Sequence, residues 1–212
     1  MPAFNLHCER CPRISAHLCA VRRDYPDYHA LPVAPFGANN PRLLIVGLGP
    51  GLHGANASGR PFTGDYAGIL LYETLYRYGF SNRPGSVSKN DGLQLLDCRI
   101  TNAVKCLPPG NKPNAGEIQL CNDYLGSELA EIKGELVVLA LGRIAHDAVL
   151  RALQLPRKEY PFGHNARHVL DSERTLLDSY HCSRYNTQTR RLTVEMFHAV
   201  FDKVHDILNI TN

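Results

Sequence analysis

The chain has 212 residues, enough for one large domain or two small ones, and its 44% hydrophobic and 20% charged residues are typical of a folded globular protein. Its net charge of +3 is too small to indicate that it wraps nucleic acid as a histone does. No stretch approaches the roughly 18 apolar residues of a membrane span and no signal peptide opens the chain, so we expect a cytoplasmic protein with no membrane partner.

Helical and strand patterns alternate along the chain. The first helix is predicted over 13–27. Continuous apolar runs predict buried parallel strands at 42–47, 99–104, 136–141 and 176–180. Helical spacing predicts helices at 66–78, 115–133, 143–153 and 189–208.

This alternation implies right-handed crossovers between parallel strands, and therefore an α/β fold, a three-layer α/β/α sandwich. No repeat or linker divides it, so we expect a single domain over 1–212. In open parallel sheets the ligand lies beyond the carboxyl ends of the strands. The segments that should lie there are 47–65, 102–113, 142–147 and 181–191.

A glycine-rich string follows the first predicted strand. Residues 49–54 match G-x-G-x-x-G, the pattern of dinucleotide-binding folds. In those folds a helix opens at once, whereas residues 55–61 are predicted to continue as a loop. The lysine and hydroxyl residue of a nucleotide P-loop are also missing after these glycines. We expect no nucleotide cofactor.

Two residues of this first loop have alternative interpretations. Asp65 precedes a helix, so it is either an N-cap or a carboxylate in the strand-end crevice that positions water or stabilises a cation. Phe62 is either a core residue or a ring that stacks on a flat ligand. Position alone does not separate these alternatives.

The segment 181–191 joins the last strand to the last helix. His181 is either a structural histidine or a catalytic one that emerges at the same sheet edge as Asp65. Arg184, Arg190 and Arg191 are either a solvated surface or contacts to phosphate groups.

Seven cysteines cannot all form pairs. Cys8 and Cys11 form a C-x-x-C, Cys106 follows the second strand, and Cys121 lies 15 positions further on. Four thiolates could hold zinc or an iron–sulfur cluster, and spacing alone does not decide between them. The other three are predicted to be small buried hydrophobic residues: Cys19, Cys98 and Cys182.

Two long motifs resemble a known family. Residues 47–65 (GLGPGLHGANASGRPFTGD) and 179–193 (SYHCSRYNTQTRRLT) resemble the two motifs of the B-type, or fifth-family, iron–sulfur uracil-DNA glycosylases. The likeness runs from Cys8 to the last helix and includes 105–113 (KCLPPGNKP). It implies a four-stranded parallel sheet between helices, in agreement with the strand count above.

The resemblance also implies site residues. The metal ligands of a [4Fe–4S] cluster would be Cys8, Cys11, Cys106 and Cys121, and the catalytic pair Asp65 and His181. Substrate binding maps to Gly47, Leu48, Phe62, Asn102 and Asn111, and DNA binding to Arg184, Tyr185, Asn186 and Arg190. Asn111 would contact uracil and Phe62 would stack on it. Asn102 is a departure, because B-type sequences carry a small residue there and A-type relatives carry asparagine.

The resemblance thus predicts a DNA-repair enzyme that flips uracil out of DNA and hydrolyses the N-glycosidic bond. Because Gly51 and Leu48 leave little polar wall in the first motif, we also expect it to accept other deaminated bases such as hypoxanthine. Its partner would be uracil-containing double- and single-stranded DNA, and we expect a monomer associated with the nucleoid of a prokaryote. One alternative is a non-catalytic DNA-binding or scaffold protein, against which the intact site residues argue. The other is a zinc-bearing nuclease or hydrolase, which would need a carboxylate-rich first motif.

Overall fold

The strand β2, Leu43–Gly47, is apolar and buried along its whole length, so it lies at the centre of a sheet covered on both faces. In the computed structural model, which describes residues 4–210, it pairs in parallel with β3, Cys98–Asn102, and with β4, Leu136–Leu141. The fourth parallel strand is β6, Arg174–Ser179, beside β4. The predicted four-stranded parallel sheet is therefore confirmed.

Two short antiparallel strands extend this sheet at its edges. They are β1, Phe36–Gly37, against β3, and β5, Arg167–Val169, against β6. The complete order is β1-β3-β2-β4-β6-β5. Both edge strands are partly exposed and only two or three residues long, so the sequence carries no apolar run that predicts them.

Helices cover both faces of the sheet, which confirms the three layers. On one face, α3 and α7 pack on the sheet through residues such as Leu71, Phe197 and Phe201. On the other face, α4 and α5 pack through residues such as Leu125 and Val149. The helix bounds are Pro12–Asp24 (α1), Ala55–Ser58 (α2), Tyr66–Arg77 (α3), Ala115–Glu131 (α4), Arg143–Ala152 (α5), Arg184–Gln188 (α6) and Val194–Leu208 (α7).

One predicted loop is wrong, and one predicted helix begins later than expected. The predicted loop 55–61 contains the single-turn helix α2, which Gly59 ends at a φ of +74°. The predicted last helix, 189–208, ends at Leu208 as predicted but begins five residues later, at Val194, where Thr193 caps α7 by accepting the backbone N–H of Met196. Residues 189–193 form a bend between the short helix α6 and α7. Over residues 4–210 we find no helix long and apolar enough to cross a bilayer.

Candidate active site

A pocket of about 470 Å³ opens beyond the carboxyl ends of the parallel strands, where the sequence places it. All four predicted strand-end segments contribute to its wall. The predicted site residues that it brings together are Leu48, Phe62, Asp65, Asn102, Asn111, His181 and Arg184.

Asp65 lies at the N-cap position of α3, but its side chain makes no capping hydrogen bond to that helix. The carboxylate lies beside the start of α2 instead, next to Gly54 and near the backbone N–H of Ala55. The adjoining Gly54 has no room for a side chain, because a Cβ there would lie 2.4 Å from Oδ2 of Asp65. Burial raises the pKa of Asp65, and the Ala55 N–H opposes that rise. The interpretation of Asp65 as a side-chain N-cap is therefore wrong.

His181 lies two residues after β6 and lines the same pocket as Asp65. Its ring lies nearly parallel to the Phe62 ring, with the centroids 5.9 Å apart and an interplanar angle of 25°. Burial lowers the pKa of His181 to about 4, so the imidazole is neutral at pH 7 and keeps one N–H donor.

Phe62 is buried, with a φ of +54°, a conformation that costs a non-glycine residue about 1–3 kcal/mol. Its ring lies against Gly47, where a Cβ would come within 2.9 Å of it. Gly47 therefore supports the pocket by leaving room for this ring. The strain and the close approach together hold the ring in one position.

Asn102 is paired with Gly47 across β3 and β2 and is 3% exposed. Its Oδ1 has no hydrogen-bond partner within residues 4–210, although it is buried. A buried acceptor without a donor costs about 1–3 kcal/mol, so this atom is available to a ligand. Asn111 reaches the pocket from an exposed 3₁₀ turn, Pro109–Asn111, at a φ of +57°.

The helix α6 carries the other side of the pocket mouth. The Arg184 guanidinium lies 5.3 Å from the centroid of the Tyr66 ring, so the two residues meet at the pocket wall. Tyr185 is 70% exposed and does not line the pocket. Nδ2 of Asn186 donates to the His181 carbonyl oxygen at 2.8 Å, which fixes the loop behind the histidine. Arg190 is exposed beyond α6.

Three pocket residues lie outside the predicted strand-end segments: Tyr66, Ala67 and Leu141. Arg143 and Ile144 lie inside the segment 142–147 but were not singled out as site residues. Arg143 begins α5 and its guanidinium lies 5.1 Å from the centroid of the Phe162 ring. The signal available was its position in the strand-end segment 142–147. An arginine at a helix start is usually solvated, so the residue type alone did not indicate a pocket wall.

Four cysteines line a second, much smaller cavity of about 20 Å³ between α1, α4 and the segment after β3. They are the predicted set, Cys8, Cys11, Cys106 and Cys121. The Lys105 backbone N–H donates to Sγ of Cys121 at 3.2 Å. Cys98 and Cys182 are buried elsewhere, as predicted, whereas the prediction that Cys19 is buried is wrong, since it is exposed on α1.

The parallel sheet and this pocket define an α/β protein of the uracil-DNA glycosylase superfamily, whose family model, "Uracil DNA glycosylase superfamily", matches residues 34–205. A type-5 uracil-DNA glycosylase of Thermus thermophilus is 44% identical over 195 residues, which cover 90% of this chain and 89% of that protein. One of Pyrobaculum aerophilum is 41% identical, with 90% and 84% covered.

A type-4 uracil-DNA glycosylase of Pyrobaculum aerophilum is 38% identical over 112 residues, which cover only 52% of this chain and 49% of that protein. The likeness to the type-5 proteins therefore extends much further along the chain. The chain belongs to the type-5 family of uracil-DNA glycosylases, which confirms the resemblance inferred from the motifs.

Proposed function

We propose that this chain removes uracil from DNA by hydrolysing the N-glycosidic bond, with Asp65 and His181 as its catalytic residues. The observation that carries this proposal is that both residues line one pocket beyond the carboxyl ends of the parallel strands. The leaving uracil gains negative charge while the deoxyribose becomes oxocarbenium-like. The site therefore needs a donor on the base side and a carboxylate on the sugar side.

The hydrogen-bond donor on the base side would be His181. A neutral imidazole N–H can donate to a uracil carbonyl oxygen, and this hydrogen bond strengthens as the leaving anion forms. The low pKa of His181, about 4, supports this role, because the donor persists at neutral pH without a positive charge that must be desolvated.

The carboxylate on the sugar side would be Asp65. Its carboxylate is largely buried, so its charge acts across a medium of lower effective dielectric constant than water. It would stabilise the positive sugar and orient the attacking water.

The base must first leave the stack, which costs a few kcal/mol and least for a mispaired base. Phe62 would stack on it, Asn111 would read its edge, and the free Oδ1 of Asn102 would accept from an N–H of the base. Leu48 and Gly51 would form the wall behind it, and Gly47 would leave room for the Phe62 ring. That first-motif wall has little polar character, so we propose that hypoxanthine is also accepted.

DNA contact is assigned to the α6 region. Arg184, Tyr185 and Arg190 are exposed on and just after α6, and Arg184 also lines the pocket. They would contact phosphates and fill the gap left by the flipped base. The DNA contact proposed for Asn186 involves its oxygen, since its amide nitrogen is occupied by the His181 carbonyl. Such contacts do not require an oligomer, and we propose a monomer.

The assay that tests this proposal uses purified protein on otherwise identical duplexes carrying uracil, hypoxanthine or thymine. We expect abasic sites from uracil and, more slowly, from hypoxanthine, with the thymine duplex intact. Absence of excision from the uracil duplex would contradict the proposed function. A protein that binds but does not cleave it would be the scaffold protein considered above.

We further propose that Cys8, Cys11, Cys106 and Cys121 hold a [4Fe–4S] cluster, which would tie the N-terminal segment to α4. Four thiolates around one cavity fit such a group. A single zinc ion needs sulfurs about 3.8 Å apart, because Zn–S bonds are about 2.3 Å in a tetrahedron. Within residues 4–210, the one trio of ligand atoms mutually within 4.8 Å contains no cysteine, which favours the larger cluster.

Substitution of a cluster ligand should therefore remove iron. Purified protein should be yellow-brown with about four irons per chain. The Cys121→Ala variant should lose most of this iron and unfold at a lower temperature, because metal binding is coupled to folding. Cys19→Ala is the matched control, since Cys19 is exposed on α1 and should change neither. Colourless parent protein with one zinc per chain would contradict the assignment.

The rate of uracil excision, plotted against pH, should show no inflection near 6.5, the ordinary pKa of histidine. His181 stays neutral down to about pH 4, so its donor is constant over the physiological range. The rate should fall only at lower pH, where Asp65 is protonated, and this fall should begin above the ordinary aspartate pKa because burial raises it. Single-turnover rates between pH 4 and 9 measure this, and a midpoint near 6.5 would contradict the neutral His181.

A further inference from the structure

A second group of potential ligands lies outside the pocket. His146 on α5, His168 on β5 and Asp178 on β6 bring three ligand atoms within 4.8 Å of one another. Asp178 is completely buried, and the side chains of His146 and His168 are 1% and 11% exposed. None of the three lines the pocket or has a role in uracil excision.

The hydrogen bonds of His146 define which of its nitrogens carries a proton. Nε2 lies 2.9 Å from the Tyr160 carbonyl oxygen, which can only accept, so Nε2 carries the hydrogen. In the neutral ring, Nδ1 then holds a lone pair, and it faces Oδ1 of Asp178 at 2.7 Å. Two lone pairs at this distance repel each other, so either a proton or a metal ion lies between the two atoms.

His168 distinguishes a metal ion from a proton. Its Nε2 is buried without a hydrogen-bond partner within residues 4–210, and it lies 3.5 Å from Oδ2 of Asp178. That distance is too long for a strong hydrogen bond. A proton on Nδ1 of His146 would satisfy the first contact and leave this nitrogen unpaired. A metal ion can take lone pairs from both imidazoles and from the carboxylate.

We propose that His146 Nδ1, His168 Nε2 and the carboxylate of Asp178 bind a zinc ion. Two imidazoles and one carboxylate are ligands that zinc takes at about 2.0–2.2 Å, whereas magnesium and calcium prefer oxygen alone. The Tyr160 carbonyl supplies the hydrogen bond that typically orients a zinc-bound histidine. The ion neutralises the buried carboxylate and joins α5, β5 and β6, and Asp178 lies three residues before His181.

The test uses the full chain with its iron intact, incubated with one equivalent of zinc chloride and freed of unbound metal on a desalting column. Elemental analysis should give one zinc per chain and an unchanged iron content. His168→Ala, on the edge strand, should retain at least tenfold less zinc. His17→Ala, a half-buried histidine on α1, is the matched control and should retain as much as the parent.

X-ray absorption at the zinc edge on the parent protein alone decides which ligands hold the ion, even if His168→Ala fails to fold. Nitrogen and oxygen neighbours at about 2.0–2.1 Å support the proposal, and sulfur neighbours at about 2.3 Å would assign the zinc to the cysteines and overturn it. Parent protein that retains no zinc would also overturn it, leaving a proton between His146 and Asp178. Equal zinc retention in a folded His168→Ala variant would do the same.

Discussion

Replacing Asp65 by asparagine should lower the single-turnover rate of uracil excision by roughly 10²–10⁴-fold while the protein remains folded. Asparagine matches aspartate in size and shape, so its oxygen can face the Ala55 N–H as the carboxylate does. Only the negative charge is lost, and with it the stabilisation of the positive sugar and the orientation of water. The temperature of unfolding should change little or rise, because burial disfavours the charged form.

The matched control, which loses a carboxylate charge away from the pocket, is Asp147→Asn on α5. Asp147 pairs with Arg157 at 3.2 Å, away from the pocket, so this variant should excise uracil at the parental rate. Rapid-quench measurement with enzyme in excess gives the rate of the chemical step for all three proteins. An Asp65→Asn variant that is as fast as Asp147→Asn would leave Asp65 without a catalytic role.

The sequence correctly predicted the elements whose buried apolar residues follow a regular spacing along the chain. The strand β4 is six consecutive apolar residues, and α7 carries Phe197, Val200 and Phe201 at helical spacing. Each pattern therefore indicates one type of secondary structure. The helix α2 has no such pattern. It forms because the loop folds back on itself, with Ser58 Oγ donating to the Gly54 carbonyl.

For the candidate site, strand order predicted the right edge of the sheet but not the direction of each side chain. Asp65 precedes a helix, and the sequence could not indicate that its carboxylate turns away from that helix towards α2. Tyr66 lines the pocket beside Asp65 only because of the course of the loop. The unpaired Oδ1 of Asn102 likewise depends on which atoms of distant segments come near it, which no local pattern encodes.

Replacing His181 by alanine should lower the excision rate by roughly 10²–10³-fold, the usual cost of one donor to a developing anion. The affinity for uracil-containing DNA should stay close to the parental value, because this donor contributes mainly in the transition state. Single-turnover rates at saturating enzyme, together with fluorescence anisotropy on the same duplex, separate the two quantities. A loss confined to affinity would contradict the role of His181 in bond cleavage.

Combined replacement of Arg184 and Tyr185 by alanine should instead lower the affinity for DNA. Tyr185 is 70% exposed and Arg184 lies over the Tyr66 ring at the pocket wall, so both are placed to meet the duplex rather than the leaving base. Affinity for double-stranded DNA should fall and depend less steeply on salt, because a phosphate contact is lost. Single-stranded uracil DNA, which has no paired stack to fill, should lose less activity. Equal losses of activity on single- and double-stranded DNA would exclude a gap-filling role for this loop. The reference is His181→Ala, which should lower activity on both substrates equally.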